Sequence, residues 1–238
     1  MAASLSDKIK TTVTRIQEVV ETHHPAAFST SLSAEDMVLL DLIKRAGSPV
    51  TVFTLDTGRL PRQTYDLLDA VQKQYEGGLR VFTPPHAELE QLVSEQGVNA
   101  FYRSVESRKA CCDVRKVRPL RRALDGNKLW LTGLRWAQST ATRSQLDWLT
   151  WDDSYQLYKF NPMLDWTTEE VFGYVKEFSI LNNALYDEGY TSIGCDPCTR
   201  AIKEGEDERA GRWWWESPDS KECGLHIDQQ GRLVRSTT

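Results

Sequence analysis

Four of the five cysteines in this 238-residue chain stand in two close pairs. Cys111 and Cys112 are adjacent, and Cys195 and Cys198 form a C-x-x-C motif. Because thiolates bind soft metals, two such pairs in one chain indicate a metal site that folding assembles. Adjacent cysteines suit a single tetrahedral zinc ion poorly, whereas a [4Fe–4S] cube offers four separate irons. The pattern favours a cluster over zinc, and it leaves open buried free thiols or a redox pair.

The fifth cysteine, Cys223, stands alone in the polar stretch "KECGLH" near the carboxyl end. A free thiol beside Lys221 and His226 can act as an attacking thiolate, and the alternative is an incidental exposed cysteine. His226 either favours the thiolate form of Cys223 or is an ordinary surface histidine. Trp213–Trp215, which precede this stretch, are interpreted as a hinge anchor, a lid or plain packing.

The stretch "STSLSAED", residues 29–36, follows a predicted strand and opens a predicted helix. Hydroxyl and backbone N–H groups at a helix N-terminus form a ready site for phosphate. The alternative is simple capping by Ser33 of a helix that begins near Ala34, with Asp36 at its third position. The chain has no G-x-G-x-x-G motif and no G-x-x-x-x-G-K-[ST] motif, which argues against dinucleotide and P-loop sites.

Two further stretches are rich in cations. The loop "TGLRWAQSTATR" carries Arg135 and Arg143, whose forked guanidinium groups suit phosphate or sulfate, although either arginine could instead form a structural salt bridge. Residues 103–122 contain eight basic and two acidic side chains, a local net charge of +6. This segment predicts a site for a substrate phosphate or a negatively charged cluster, with a solvated helix face as the alternative.

These residues are distributed over alternating strand and helix patterns. Residues 34–47 and 61–78 have helical patterns: the first ends at Gly47, and the second begins at Pro61 and stops at a glycine pair. Alternation of this kind predicts an α/β fold with a doubly wound, mostly parallel sheet. The predicted strands lie at residues 25–32, 48–55, 78–84, 128–134 and 155–162.

Ligands of such sheets bind where strands lead into helices at their carboxyl ends, so the loops at 29–36, 55–62 and 132–143 are the predicted ligand loops. After about residue 194 the chain becomes rich in charge, glycine and proline. We predict a nucleotide-binding α/β domain over 1–194. The segment 195–238 is predicted to carry the C-x-x-C ligands and a flexible tail.

Composition limits the class of protein. An apolar content of 40%, a charged content of 26% and a net charge of −5 describe an ordinary globular chain and argue against a nucleic-acid partner. No apolar run approaches ~20 residues, so no membrane span is expected. The N-terminus has an amphipathic helical pattern in place of a secretory signal. We expect a cytoplasmic protein, a compartment in which five cysteines do not predict disulfides.

Four separated stretches together resemble a known family. "KACCDVRKVRPL", "TGLRWAQSTATR", "GCDPCTRAIKEGEDERAGRWWWE" and "KECGLH" are similar to the bacterial assimilatory adenosine 5′-phosphosulfate (APS) reductases of the APS/PAPS reductase family. The resemblance extends from "STSLSAED" to "KECGLH". It implies an adenine-nucleotide α-hydrolase fold of Rossmann-like type, and an oxidoreductase of sulfate assimilation towards cysteine biosynthesis.

The resemblance also assigns residues. It implies one [4Fe–4S] cluster per subunit on Cys111, Cys112, Cys195 and Cys198, and it makes Cys223 the nucleophile. Thioredoxin, or a similar dithiol protein, is the implied thiol donor, and family members are commonly homo-oligomers. The residues implied to bind the nucleotide, phosphate and sulfate are Ser31, Ser33, Glu35, Asp36, Leu55, Thr57, Gly58, Lys116, Gly133, Arg135, Arg143, Arg209 and Arg212.

Three other functions compete with this interpretation. The first is reduction of the 3′-phosphorylated substrate PAPS, or of both substrates, although paired cysteines in this family accompany APS. The second is an ATP pyrophosphatase or thiolation enzyme of the same fold. It is disfavoured because "SLSAED" replaces the S-G-G-x-D-S type loop of such enzymes. The third is an iron–sulfur sensor without catalysis, which leaves Cys223 unexplained.

Overall fold

A six-stranded sheet with the strand order β3-β2-β1-β4-β6-β5 forms the centre of the molecule. The computed structural model describes residues 4–75, 78–138 and 146–217. Neighbouring strands pair in parallel except β5, which pairs antiparallel with β6. The strands are β1 Ala26–Thr30, β2 Val50–Leu55, β3 Leu79–Phe82, β4 Leu129–Leu131, β5 Leu149–Asp152 and β6 Leu157–Phe160.

The five strands predicted from the sequence are all present, and the predicted α/β class is confirmed. The edge strand β5 was not predicted. Its residues Leu149–Asp152 include an exposed tryptophan, Trp151, and only their pairing with β6 identifies them as a strand. An edge strand lacks the continuous apolar run of a central strand, so its local pattern is weak.

In the described residues, seven α-helices connect or flank the strands. Helix α2 ends at Gly47, which adopts the left-handed conformation expected of a C-terminal cap. Helix α7 begins with a capping box in which Thr167 and Glu170 exchange hydrogen bonds. The helices are α1 Leu5–Thr22, α2 Ala34–Ala46, α3 Arg62–Gln74, α4 His86–Gln96, α5 Val105–Cys112, α6 Arg118–Leu124 and α7 Thr168–Glu177.

Apolar side chains are buried on both faces of the sheet, as a doubly wound sheet requires. On one face, Phe28 and Leu131 pack with residues of α1, α2, α3 and α7. On the other face, Phe53 and Trp130 pack against Leu120 and its neighbours on α6. Successive side chains of β1 and β4 point to opposite faces of the sheet and are buried on both, so helices pack against both faces.

The strand order reverses between β1 and β4, because β2 and β3 lie on one side of β1 and β4 lies on the other. A crevice opens at such a switch point, outside the carboxyl ends of the strands. The loops after β1, β2 and β4 meet there, as predicted. In the described parts of the chain, no helix has the length and apolarity needed to cross a membrane.

Candidate active site and cysteine cavity

A cavity of about 230 Å³, here called the substrate cavity, lies at the switch point. Its lining combines the loops after β1, β2 and β4 with side chains from two later stretches of the chain, residues 191–194 and 208–213. Ten of the thirteen residues predicted to bind substrate line it: Ser31, Ser33, Glu35, Asp36, Leu55, Thr57, Lys116, Gly133, Arg209 and Arg212.

One end of the substrate cavity is acidic. Asp36 is buried, and its carboxylate accepts hydrogen bonds from the backbone N–H of Ser31 at 2.6 Å and from its hydroxyl at 2.7 Å. Burial, followed by the nearby Glu35 carboxylate, raises the pKa of Asp36 to about 7. A Cβ atom at Gly133 would lie 2.1 Å from Asp36 Oδ1, so glycine is required for this close approach.

The start of helix α2, at this end of the cavity, is capped by a residue that is distant in the sequence. Ser33 occupies the N-cap position, as predicted, but its side chain accepts no hydrogen bond from the first helical turn. The Tyr186 hydroxyl instead accepts a hydrogen bond from the Ala34 N–H at 3.0 Å. Tyr186 also lines the cavity, and burial and Glu35 raise its pKa. It was not predicted, because it lies 152 residues from Ala34, in the short 3₁₀ helix Ala184–Glu188.

The other end of the cavity is basic. It is lined by Lys116, Arg209 and Arg212. The positive charges of Lys116 and Arg212 also act to lower the pKa of the nearby Cys198 thiol. Lys116 lies on a π-helical turn, Asp113–Val117, between α5 and α6. Such turns insert one residue into a helix and often occur at functional sites. The lining of the cavity therefore carries charges of both signs, including Glu208 next to Arg209 in the sequence.

Three predicted residues are not seen in this lining. Gly58, with a φ of +68°, lies outside it and would place a Cβ 3.5 Å from Arg115 Nη1. Arg135 is buried, and its Nη1 donates to the Trp166 carbonyl at 3.2 Å and to Thr168 Oγ1 at 3.3 Å. It braces α7 in the structure described and does not reach the cavity. Arg143 lies outside the described residues.

A smaller cavity of about 20 Å³, the cysteine cavity, is lined by all four paired cysteines, Cys111, Cys112, Cys195 and Cys198. Folding thus joins two pairs that are distant in the sequence. Within the described ranges, no three His, Cys, Asp or Glu side chains are spaced to hold a single metal ion. Four thiols around one cavity, with Arg59, Arg108, Arg115 and Lys116 in the same lining, match the donor set and charge that an anionic iron–sulfur cluster needs.

The thiols of this cavity are poorly solvated. Burial raises the pKa of Cys111, an effect that Arg115 partly offsets. Burial and the neighbouring Cys195 raise the pKa of Cys198 to about 11, while Lys116 and Arg212 act in the opposite direction. Because metal ligation needs thiolates, these cations favour the ligating form.

The loop after β2 connects the two cavities. Thr57 lines the substrate cavity, and its Oγ1 lies 3.2 Å from Cys195 Sγ. Arg115 Nη1 donates to the Thr57 carbonyl at 2.6 Å, and the Asp196 N–H donates to the Arg59 carbonyl at 2.8 Å. Lys116 lines both cavities. A group bound by the cysteines would therefore lie directly behind the basic end of the substrate cavity.

The three tryptophans have different environments. Trp213 is buried between two guanidinium groups, with Arg108 and Arg212 at 4.6 and 4.7 Å from the ring centroid. Trp215 packs against Tyr102 with ring centroids 4.6 Å apart, and Trp214 is exposed. The burial of Trp213 agrees with plain packing, and the hinge-anchor and lid interpretations stay predictions. Cys223 and His226 lie outside the described residues.

Comparison with known proteins agrees with this geometry. Residues 25–201 match the family model of the phosphoadenosine phosphosulfate reductase domain. A protein of Allochromatium vinosum named adenosine 5′-phosphosulfate reductase is 49% identical over 199 residues, which cover 84% of this chain and 77% of that protein. One of the same name from Burkholderia cepacia is 45% identical over 227 residues, covering 95% and 90%.

Solved structures show the same fold at lower identity. The phosphoadenylyl-sulfate (PAPS) reductase of Candida auris, in a phosphate complex, has a TM-score of 0.67 at 24% identity and covers 85% of this chain and 99% of its own. Yeast FAD synthetase in complex with FAD has a TM-score of 0.59 at 13% identity, covering 84% and 70%. With the family model matched over more than half of its length, this chain belongs to the phosphoadenosine phosphosulfate reductase family, among its adenosine 5′-phosphosulfate reductases.

Proposed function

We propose that the protein reduces APS to sulfite and AMP, through an S-sulfocysteine on Cys223, as a step of sulfate assimilation towards cysteine. The observation that carries the proposal is the charge distribution of the substrate cavity. Its basic end adjoins the four-cysteine cavity, while its acidic end can accept hydrogen bonds from neutral hydroxyl groups. Relatives that are 45–49% identical and named APS reductases support this assignment.

APS is an asymmetric ligand that fits this distribution. Its phosphosulfate carries the negative charge, and its ribose and adenine are neutral. The phosphosulfate is assigned to Lys116, Arg209 and Arg212, and the nucleoside to the end formed by Ser31, Asp36 and Gly133. An additional phosphate on the ribose would add negative charge to a cavity that already contains Glu35, Asp36 and Glu208. We therefore propose APS, in preference to PAPS, as the substrate.

The reaction is a displacement at sulfur. The Cys223 thiolate attacks the sulfate sulfur, the bond from that sulfur to the bridging oxygen breaks, and AMP leaves with the bond's electron pair. Lys116, Arg209 and Arg212 offset the repulsion between the thiolate and the sulfate oxygens, and they orient the sulfate for attack. The product of this step is Cys223–S–SO₃⁻.

A second thiol completes the reduction. The thiolate of thioredoxin, or of a similar dithiol protein, attacks the Cys223 sulfur and releases sulfite. The second thiol of that protein then resolves the mixed disulfide, so that two thiols become one disulfide and the substrate sulfur gains two electrons. Cytoplasmic location and homo-oligomeric assembly belong to the same proposal. The cytoplasm is the reducing compartment that thioredoxin chemistry needs.

The cysteine cavity is proposed to hold one [4Fe–4S] cluster per subunit on Cys111, Cys112, Cys195 and Cys198. When bound, the cluster supplies a cross-link between the two cysteine segments and a fixed charge behind the sulfate site. Thiols supply both reducing equivalents, so no electron from the cluster is needed. Lys116 lines both cavities, which supports a role in which it interacts with both the cluster and the sulfate.

The test is intact-mass analysis and peptide mapping of anaerobically purified protein mixed with APS, or separately with PAPS, without thioredoxin. We expect APS to add one SO₃ group to the peptide that contains Cys223, and PAPS to add far less. The Cys223→Ser variant is the control and should gain no mass. An equal gain with PAPS would contradict the substrate assignment, and no gain with either compound would contradict the mechanism.

A further inference from the structure

The start of the C-terminal tail is attached to the cysteine-bearing helix by a buried ion pair. Arg108 Nε and Nη2 donate to the two carboxylate oxygens of Glu216, each at 2.9 Å. The side chains are 0% and 4% exposed. A two-point contact between guanidinium and carboxylate fixes distance and orientation together. The two residues are 108 positions apart, so the pair joins distant parts of the chain.

Both sides of this ion pair adjoin the proposed catalytic groups. Arg108 lies on α5 three residues before Cys111, lines the cysteine cavity and hydrogen-bonds the Cys112 side chain. Its guanidinium also stacks on Trp213, which lines the substrate cavity. The Trp213 N–H donates to the Cys198 carbonyl at 3.1 Å, and the Glu216 N–H donates to the Trp213 carbonyl at 2.9 Å. Residues 213–216 are thus held at the wall between the two cavities.

The attachment point limits the reach of the nucleophile. Cys223 follows Glu216 by seven residues, so a fully extended chain carries it at most about 25 Å from that anchor. A short connection to a fixed point raises the effective concentration of a tethered group at the sites that it can reach.

We propose that the Arg108–Glu216 ion pair positions the tail for the nucleophilic step. It holds residues 213–216 at the cavity wall, so that the Cys223 thiolate reaches the sulfur of bound APS. This inference rests on the proposed function, because it assigns the pair a role in the formation of the S-sulfocysteine. Arg108 and Glu216 act through the tail and not on the substrate, so they are positioning residues.

The experiment compares Glu216→Gln with a matched control in the full-length holoenzyme. The control is Glu206→Gln, which disrupts a similar two-point pair with Arg200, at 2.8 and 2.9 Å, in the same C-terminal segment. That pair does not attach the tail. The readouts are the single-turnover rate of SO₃ addition to Cys223 at saturating APS, iron per chain, and APS affinity. Affinity is measured by equilibrium dialysis in the Cys223→Ser background.

For Glu216→Gln we expect SO₃ addition to be at least tenfold slower. APS affinity should stay within about twofold of the parent value and iron content should be unchanged, because misplacing the reacting groups lowers the rate of the reaction more than it weakens binding. Glu216→Asp keeps the charge and should recover part of the rate. The Glu206→Gln control should react at the parent rate. A parent-like rate in Glu216→Gln would overturn the proposal, as would parallel losses of affinity, iron and rate, which indicate a purely structural pair.

Arg108→Lys is a second test of the positioning proposal, for the case in which Glu216→Gln does not fold. Lysine keeps the charge but cannot form the two-point contact, so the same selective loss of rate is expected. A parent-like rate in Arg108→Lys would then overturn the proposal. Failure of the proposed function is distinguishable, since in that case the parent protein itself gains no SO₃ group from APS.

Discussion

The two walls of the substrate cavity differ in how they are held. The sheet wall, formed by the loops after β1, β2 and β4, stands on strands and helices whose apolar side chains form the two core clusters. The C-terminal wall, residues 191–194 and 208–213, contributes no residue to either cluster in the described chain. It is held by backbone hydrogen bonds such as Arg200 N–H to the Gly211 carbonyl, and by the stacked Trp213.

This difference separates two tasks. Apolar burial stabilises the sheet wall independently of any bound group, so the proposed nucleoside end is preformed. The C-terminal wall carries Arg209 and Arg212, the cations proposed to bind the phosphosulfate, and the chain between its two stretches carries Cys195 and Cys198, two of the proposed cluster ligands. We therefore expect the order of this wall to depend on polar contacts and on the proposed cluster. Perturbations of the two walls should have different consequences, and the following predictions test that expectation.

The largest effect is expected on the C-terminal wall. Cys198→Ala removes one of the four thiols of the cysteine cavity, and we expect loss of bound iron and at least a hundredfold fall in sulfite production. The far-UV circular dichroism of the sheet and its helices should change little, because the apolar clusters are untouched. Cys223→Ser is the matched control: it should keep its iron and lose turnover. An active, iron-containing Cys198→Ala protein would contradict the division between the walls.

The second effect concerns stability at the acidic end of the sheet wall. Because the pKa of Asp36 is raised from 3.8 to about 7, the contribution of Asp36 to the free energy of unfolding falls as pH rises from about 4 to 7, by at most about 4 kcal/mol, and is constant above that range. Asp36→Asn removes this titration. The stability of the variant relative to the parent should therefore increase across that pH interval, as measured by urea unfolding at several pH values.

The control for this experiment is Asp66→Asn, which alters an exposed carboxylate paired with Arg62 on α3. Because Asp66 is exposed, this variant measures the effect of an Asp-to-Asn exchange that removes no buried charge. A pH-independent difference between Asp36→Asn and the parent would show that burial does not impose a charge penalty at this position. The acidic end would then resemble an ordinary solvated helix start.

The smallest of the three effects is expected for Gly133→Ala, also in the sheet wall. The added Cβ would lie 2.1 Å from Asp36 Oδ1, so the loop after β4 must shift away from the start of α2. We expect about tenfold weaker APS binding with unchanged iron content, since the C-terminal wall is not altered. Gly173→Ala on α7 is the control, because its added Cβ meets no atom within 4 Å. Unchanged affinity in Gly133→Ala would place the nucleoside elsewhere.

Much of the sheet wall was predictable from local sequence. The five predicted strands, the C-terminal cap at Gly47 and the position of the helix that follows Ser33 all follow from short-range rules of periodicity and capping. The convergence of the ligand loops follows from the parallel topology. The residue placements were less predictable: Arg135 braces α7, and Tyr186 performs the capping that Ser33 was expected to perform.

The domain boundary proposed at residue 194 stays a prediction. Residues on both sides of it line the substrate cavity, and the Gly194 N–H donates to Thr199 Oγ1 at 3.1 Å. The tail beyond residue 217, with Cys223, lies outside the described chain. Its role is supported by the sequence pattern, by the family and by the contacts made at its start.

By itself, the sequence determined the fold class, the two cysteine pairs and the unpaired Cys223, because strand and helix periods, turn residues and ligand spacings are local properties. Only the tertiary structure decided which of these residues meet. It brought the four thiols to one cavity, placed Lys116 between that cavity and the substrate cavity, and paired Arg108 with Glu216. The two residues of this ion pair are 108 positions apart, and the partners in such contacts depend on the path of the whole chain and not on any local pattern.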